Sequence, residues 1–261
     1  MSKTPLLSLE NVSMTFGGLK AVNALSFDVF PGEIVGLIGP NGAGKTTVFN
    51  CVTQFYKDYE GDILFDGLEG HVDLRNVKVT DVIKQGLVRT FQNVELIPDL
   101  SIINNLLIGA HTQFKSRLID HLFNTKKARQ EEKRLREKAL DILQFLKIDH
   151  LKDFYVKGQP YGILKKIEIA RTLMSDPKLI ILDEPAAGLN DRETDELEAL
   201  IYDIRKKYNT TILLIEHDMG FVMNICDRVC AISFGKFLAM DIPSKIQKNT
   251  LVQEAYLGKD D

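Results

Sequence analysis

The sequence has few cysteines and lacks any long apolar run. These two features argue against a disulfide-bonded secreted protein and against a membrane-spanning one. No apolar segment approaches the roughly 18 residues that a membrane-spanning helix needs, and the N-terminal residues lack the apolar segment of a secretory signal. Only Cys51, Cys226 and Cys230 carry thiols. We therefore expect a cytosolic chain with reduced thiols, and we interpret Cys226 and Cys230 as buried apolar groups rather than metal ligands.

Charge of one sign is not in excess. The 261 residues include 33 Lys and Arg and 36 Asp and Glu, which gives a net charge of −3. A mildly acidic chain offers no electrostatic argument for nucleic acid as the main partner. Hydrophobic residues make up 44% of the sequence, so a sizeable core can form in one large domain, or in one domain with an inserted lobe.

Apolar and β-branched runs alternate with helical patterns at both ends of the chain. Strands are predicted at 6–16, 25–30, 33–38, 61–65, 178–182 and 210–215, and helices at 45–54, 164–175 and 191–207. The run Ile34–Ile38 is apolar throughout, which is typical of a parallel strand buried on both faces. This order predicts a parallel α/β sheet with a β-rich N-terminal lobe.

The segment 94–163 differs from its surroundings and predicts an inserted helical lobe. Apolar pairs recur there at helical spacing, and a highly charged run follows at 126–138. We interpret that run as the solvated face of a helix, since its acidic and basic residues alternate at distances that allow pairing. The predicted core then comprises 1–93 and 164–261, with the N-terminal β lobe included in it.

A glycine-rich loop stands between the buried-type strand and the first helix. It consists of Gly39, Pro40, Asn41, Gly42, Ala43, Gly44, Lys45, Thr46 and Thr47. Glycines let the backbone curl around phosphates, Lys45 adds a cation, and Thr46 offers a hydroxyl to Mg²⁺. The pattern, in its strand–loop–helix context, predicts an ATP site in a P-loop NTPase (RecA-like) core.

A second apolar strand, Leu179–Leu182, runs directly into Asp183 and Glu184. Neighbouring strand residues point to opposite faces, so the two carboxylates can do different work. Asp183 suits the outer coordination sphere of the magnesium ion, and Glu184 suits polarisation of an attacking water. Behind a phosphate loop, this pair predicts hydrolysis.

Taken in order, the phosphate loop, Gln92, the run Leu182–Pro185 and His217 resemble ATP-binding cassette (ABC) proteins over nearly the whole chain. Several stretches are more closely similar to the ATPase subunits of branched-chain amino acid importers. They are 16–22, 47–51, 88–92, 184–190, 215–219 and 255–258.

The resemblance implies roles for further residues. Phe16 would stack on adenine, Gln92 would reach Mg²⁺ and the attacking water, and His217 would contact the γ-phosphate. Gly188, Leu189 and Asn190 would form the loop that crosses the dimer, with Asn190 where many cassettes have Asp. The amide keeps hydrogen bonding and removes a charge.

One segment departs from the family pattern. Cassettes commonly carry Leu-Ser-Gly-Gly-Gln, which caps the ATP of the other protomer, whereas this chain has Gln159, Pro160, Tyr161, Gly162 and Ile163. Without serine at 160 the hydroxyl donor is missing, and such a hydrogen bond to a charged group is worth roughly 1.5–3 kcal/mol. We therefore expect a heterodimer with one strong site, with a homodimer as the alternative.

The resemblance implies transmembrane permease subunits, a second cassette and, indirectly, a substrate-binding protein as partners. It also implies a peripheral place on the cytoplasmic face of the cell membrane. Three alternatives remain at this point: the ATPase of a lipopolysaccharide-type exporter, a nucleotide-dependent switch on DNA or ribosomes, and a module that binds ATP without hydrolysing it.

Overall fold

The computed structural model of the protein describes residues 4–90, 95–113 and 125–257. By its contacts the chain divides into two units. The core unit comprises Met1–Arg89 and Lys178–Asp261, and the helical unit comprises Thr90–Pro177. The described part of each unit has its own elements.

A six-stranded sheet forms the centre of the core unit, in the order β10-β9-β3-β8-β7-β6. Its strands are β3 (Ile34–Ile38), β6 (Leu87–Arg89), β7 (Leu179–Asp183), β8 (Thr211–Ile215), β9 (Arg228–Ser233) and β10 (Lys236–Asp241). The strands β9-β3-β8-β7-β6 run parallel, and β10 joins the edge antiparallel. Every residue of β3, β7 and β8 is buried. Their unbroken apolar runs fit a sheet that is covered on both faces.

An antiparallel sheet with the order β2-β1-β4-β5 belongs to the same unit. Its strands are β1 (Leu7–Phe16), β2 (Leu19–Val29), β4 (Glu60–Gly67) and β5 (Gly70–Asp73). One buried apolar cluster joins its inner residues, such as Leu9 and Phe65, to α1 residues such as Phe49 and to Leu37 of the parallel sheet. The phosphate loop therefore lies between two elements, β3 and α1, that are fixed by the same core.

The helices follow the predicted pattern, with differences at their ends. They are α1 (Lys45–Val52), α2 (Ile102–Gly109), α3 (Lys126–Phe145), α4 (Tyr161–Leu173), α5 (Asp191–Tyr208), α6 (Met219–Ile225), α7 (Pro243–Ile246) and α8 (Thr250–Leu257). None of these helices is both long enough and apolar enough to cross a bilayer, as far as the described residues extend.

The charged run 126–138 forms most of α3 in the helical unit. Arg136 Nε contacts Glu132 Oε1 at 3.0 Å and Lys133 Nζ contacts Glu137 Oε1 at 3.8 Å, each pair one helical turn apart. Leu135 and other apolar residues are buried on the opposite side. The interpretation of this run as a solvated helix face is confirmed.

The predicted α/β P-loop fold with an antiparallel β lobe is confirmed, but several predicted bounds are wrong. Strand β2 begins at Leu19 rather than 25, and helix α4 begins at Tyr161 rather than 164. The helix starts early because Pro160 stands at the N-cap position, where its carbonyl accepts the N–H groups of Ile163 and Leu164 at 3.0 Å. Strand β6 was not predicted, because three residues are too few to show an alternation of apolar and polar side chains.

Candidate nucleotide-binding and hydrolysis site

The phosphate loop has a backbone that requires glycine. Gly42 and Gly44 have φ angles of 78° and 100°, a region that L-residues rarely adopt. A Cβ on Gly44 would also lie 2.4 Å from the carbonyl oxygen of Ala21. Helix α1 begins immediately after Gly44, which has no side chain to cap the first amides. Those amides and the helix dipole suit an anion.

Lys45 is held across the loop. Its Nζ donates to the carbonyl oxygen of Gly39 at 2.6 Å and to that of Pro40 at 3.1 Å. Burial lowers the pKa of Lys45, while the charges of Glu184 and Asp183 oppose that shift. The ammonium group thus donates hydrogen bonds to two carbonyl oxygens of the loop. Phosphate oxygens of a bound nucleotide can take the place of these carbonyls.

A pocket of about 270 Å³ opens over this loop. Its lining consists of Ala21, Asn41, Gly42, Ala43, Gly44, Lys45, Thr46, Thr47, Glu184 and His217. The structure therefore brings the predicted phosphate loop together with two of the predicted catalytic residues, Glu184 and His217.

Glu184 and His217 form a pair at the pocket wall. His217 Nε2 lies 2.9 Å from Glu184 Oε1, although the residues are 33 positions apart. Glu184 has a φ of 48°, and its N–H donates to the carbonyl of Ile215 at 3.0 Å. A positive φ in a residue without glycine's freedom is strained and is frequently found at functional positions. The pair can orient a water molecule next to a bound phosphate.

Glu216 holds the backbone at His217 and just after Glu184. The sequence did not predict this role. Its buried carboxylate accepts the N–H of Ala186 at 2.7 Å and that of His217 at 3.1 Å. Burial raises the pKa of Glu216, and hydrogen bonds from the Ala186, His217 and Asp218 amides oppose the shift. The sequence feature that could have pointed to this role is the charge of Glu216, which stands between an apolar strand and His217.

Replacing Glu216 with Gln is expected to reduce turnover about tenfold and to lower the melting temperature. The NH₂ group of glutamine would face a backbone N–H whose hydrogen bond the Glu216 carboxylate now accepts. The loss of a hydrogen bond to a charged group costs about 1.5–3 kcal/mol. Phosphate release and thermal melting measure the two effects. Glu198→Gln on α5 is the matched control, and equal effects of both variants would contradict the positioning role.

Asp183, the last residue of β7, is buried and paired. Arg89 Nη2 lies 2.5 Å from Asp183 Oδ2, and Arg89 Nη1 donates to Asn50 Oδ1 at 2.6 Å. Oxygen donors such as the Thr46 hydroxyl and the Asp183 carboxylate are the ligands that Mg²⁺ prefers, so the donor set fits that ion. Arg89 and Asn50 lie in stretches that resemble the importer ATPases, but the sequence predicted no role for either residue.

The C-terminal helix also reaches the loop. Burial raises the pKa of Tyr256, and the nearby backbone of Gly39 opposes that shift. Gly39 in turn offers its carbonyl to Lys45. The stretch 255–258 was noted for its resemblance alone, and its described part now has a contact with the site.

The remaining predicted residues occupy different parts of the two units. Phe16 ends β1, is 41% exposed and meets Tyr56 edge-on, with ring centroids 5.2 Å apart. Asn190 caps α5: its Oδ1 accepts the Glu193 N–H at 3.0 Å, and Glu193 Oε2 accepts the Asn190 N–H at 3.1 Å. Gly188 before it has a φ of 80°. Gln92 lies outside the described residues.

In the helical unit, the segment Gln159–Ile163 forms the start of α4. Pro160 is the N-cap, with φ −55° and ψ 149°. Tyr161 is exposed, and Lys165 Nζ lies 5.6 Å from the centre of its ring. The helix N-terminus therefore persists despite the missing serine.

Comparison with known proteins agrees with the resemblance to ATP-binding cassette proteins. The family model described as "ABC transporter" matches residues 22–187. The chain is 43% identical over 260 residues to the high-affinity branched-chain amino acid transport ATP-binding protein LivG of Escherichia coli K12, with 98% of each chain covered. It is 41% identical over 255 residues to BraF of Pseudomonas aeruginosa, which bears the same description, again with 98% of each chain covered.

Solved structures resemble the chain over the same extent. One is the ADP conformation of an ATP-binding cassette of an ABC transporter, with a TM-score of 0.83 and 33% identity. A nucleotide-free cassette from an ABC transporter gives a TM-score of 0.82 and 32% identity. Each comparison covers 98% of this chain and 100% of the other.

Proposed function

The chain belongs to the ABC transporter family as an ATP-hydrolysing subunit, and we propose that it powers import of branched-chain or similar hydrophobic amino acids. The observation that carries the catalytic part is the Glu184–His217 pair at 2.9 Å on the wall of the phosphate-loop pocket. The substrate follows from the described function of relatives that match along the whole chain.

In the proposed mechanism, ATP lies with its β- and γ-phosphates on the loop Gly39–Thr47. Lys45 leaves the carbonyls of Gly39 and Pro40 for phosphate oxygens, and the first amides of α1 take further negative charge. Phe16 stacks on the adenine from the end of β1. Mg²⁺, when bound to Thr46, Gln92 and Asp183, would neutralise charge that develops on the phosphates.

Hydrolysis then needs one oriented water. Glu184 polarises the water for in-line attack on the γ-phosphorus, and the bond from that phosphorus to the bridging oxygen breaks to leave ADP and phosphate. His217 contacts the Glu184 carboxylate in the free site and turns to the γ-phosphate when nucleotide is bound. Glu216 keeps both groups in place through the Ala186 and His217 amides.

We further propose that two cassettes enclose each ATP and that they differ. The site built by this chain has a complete loop, Glu184 and His217, whereas the segment Gln159–Ile163 offers a weak cap to the opposite site. A second cassette with a serine in that segment would then give one strong site. Gly188, Leu189 and Asn190 would cross the interface, and permease subunits would hold the pair at the cytoplasmic face of the membrane.

Replacing Pro160 with Ser is expected to raise turnover of the isolated chain about tenfold. Pro160 has an extended N-cap conformation that is open to serine, and serine is a preferred N-cap residue. It restores the hydroxyl, which is worth roughly 1.5–3 kcal/mol toward a charged group. Phosphate release measures the effect. Lys157→Ser introduces a hydroxyl nearby and should change nothing, and an unchanged rate for Pro160→Ser would contradict the weak-cap hypothesis.

The transported substrate is tested by reconstitution. The chain is assembled in liposomes with its candidate permease subunits and second cassette, and uptake of labelled leucine is measured with the external binding protein present. We expect ATP-dependent uptake that is lost with Glu184→Gln. Extraction of lipopolysaccharide without leucine uptake would support the exporter alternative, and tight ATP binding with no turnover in any assembly would support a switch.

A further inference from the structure

Asp183 forms a cluster with Arg89 and Asn50, two residues that the mechanism above does not use. Strands β6 and β7 run parallel, with Arg89 opposite Ile181, so the ends of both strands meet at one edge of the sheet. There Arg89 Nη2 lies 2.5 Å from Asp183 Oδ2, and the side chains are only 8% and 7% exposed. This is the carboxylate that the proposed mechanism assigns to Mg²⁺.

The guanidinium group is anchored from a second direction. Arg89 Nη1 donates to Asn50 Oδ1 at 2.6 Å, and its central carbon lies 5.7 Å from the centre of the Phe49 ring. Both partners belong to α1, the helix that begins with Lys45 and Thr46. Arg89 thus links the metal-binding strand end to the phosphate-binding helix.

Stability alone is a poor explanation for this arrangement. Removing two charges from water carries a desolvation penalty that can exceed their attraction, so buried ion pairs are weak stabilisers. The cluster instead places a permanent cation on the carboxylate of Asp183, the residue before Glu184 of the pocket wall. Arg89 and Mg²⁺ draw on the same Asp183 carboxylate and repel each other as like charges.

We propose that Arg89 is a positioning residue that holds the Asp183 carboxylate in place in the absence of metal and sets how strongly nucleotide binding depends on Mg²⁺. With Arg89 present, the Asp183 charge is balanced in the absence of metal, so metal-free ATP meets no unpaired carboxylate there, and an arriving magnesium ion must compete for Asp183. Both effects make nucleotide binding by the chain less dependent on Mg²⁺. The inference rests on the proposed MgATP function.

The test compares nucleotide affinity with and without the metal. A fluorescent ATP analogue is titrated into wild type and Arg89→Met, once with Mg²⁺ and once with EDTA, and the ratio of the EDTA dissociation constant to the Mg²⁺ dissociation constant is calculated. Removing a charge a few ångströms from an ionic site commonly changes charge-dependent equilibria by about tenfold or more. We expect the ratio to rise about tenfold in Arg89→Met and to stay near wild type in Arg89→Lys.

A second ion pair of the core unit supplies the matched control. Arg228 Nη1 lies 3.2 Å from Glu33 Oε2, where β9 and β3 begin, at the end of the sheet away from the loop. Arg228→Met should lower the melting temperature and leave the ratio unchanged. A ratio in Arg89→Met equal to that of wild type, or equal shifts in Arg89→Met and Arg228→Met, would overturn the proposal.

Two further outcomes are separable. If Arg89→Met does not fold, Asn50→Ala removes one anchor of the guanidinium and is expected to shift the ratio in the same direction by a smaller factor. An unchanged ratio there would overturn the proposal. If wild type itself binds no nucleotide with Mg²⁺, the proposed MgATP function fails, irrespective of Arg89.

Discussion

Replacing Glu184 with Gln is expected to reduce MgATP turnover at least about a hundredfold while ATP remains bound. The amide cannot polarise the attacking water as a carboxylate does, and a positioned acid or base contributes about 10²–10⁴ in rate. The phosphate loop and Lys45 are untouched, so the affinity for ATP should stay near that of wild type. Phosphate release and titration with a fluorescent ATP analogue measure the two quantities separately.

The control for Glu184→Gln removes the same charge elsewhere. Asp195→Asn changes an exposed carboxylate of α5 and should leave turnover unchanged. Wild-type turnover in Glu184→Gln would mean that another group activates the water. Loss of ATP binding would mean that Glu184, with its φ of 48°, maintains the pocket rather than the reaction.

Replacing Lys45 with Met is expected to weaken ATP binding by about one to two decades. A hydrogen bond to a charged group is worth roughly 1.5–3 kcal/mol, and each 1.4 kcal/mol corresponds to about a factor of ten in affinity. Methionine preserves length and apolar volume and removes only the ammonium group. Equilibrium titration with the fluorescent analogue gives the dissociation constants.

Lys57 offers a matched control for that substitution. Its Nζ donates to the carbonyl oxygen of Val77 at 2.8 Å, so it is another lysine fixed to the backbone, away from the pocket. Lys57→Met should bind ATP as wild type does. If Lys45→Met also keeps wild-type affinity, the amides of the loop and of α1 carry phosphate binding without the cation.

The parts of the site that residue patterns alone predicted are contiguous in the chain, whereas Phe16, Gln92 and His217 were predicted only through the family resemblance. The phosphate loop could be identified because its glycines, Lys45 and Thr46 follow one another between a strand and a helix. Asp183 and Glu184 stand out as charges at the end of an apolar strand. Gly44 illustrates the physical reason: its φ of 100° and the neighbouring Ala21 carbonyl require glycine.

The parts that the sequence could not predict depend on contacts between distant strands. Arg89 meets Asp183 across 94 positions because β6 and β7 are neighbours in the sheet, and the three-residue β6 has no readable pattern. Glu216 was visible as a charge beside His217, but its acceptance of the Ala186 amide depends on the loop after β7. The proximity of Tyr256 to the Gly39 backbone likewise brings together residues that are far apart in the chain.

The most direct test of the central claim is the rate of MgATP turnover by the isolated chain as a function of its concentration. We expect slow turnover, with a rate per chain that rises with concentration because a second copy must cap each nucleotide. In Glu184→Gln the rate should fall to background. A rate per chain that is constant over concentrations at which the chain passes from monomer to dimer would contradict this expectation, since one chain would then hydrolyse ATP alone.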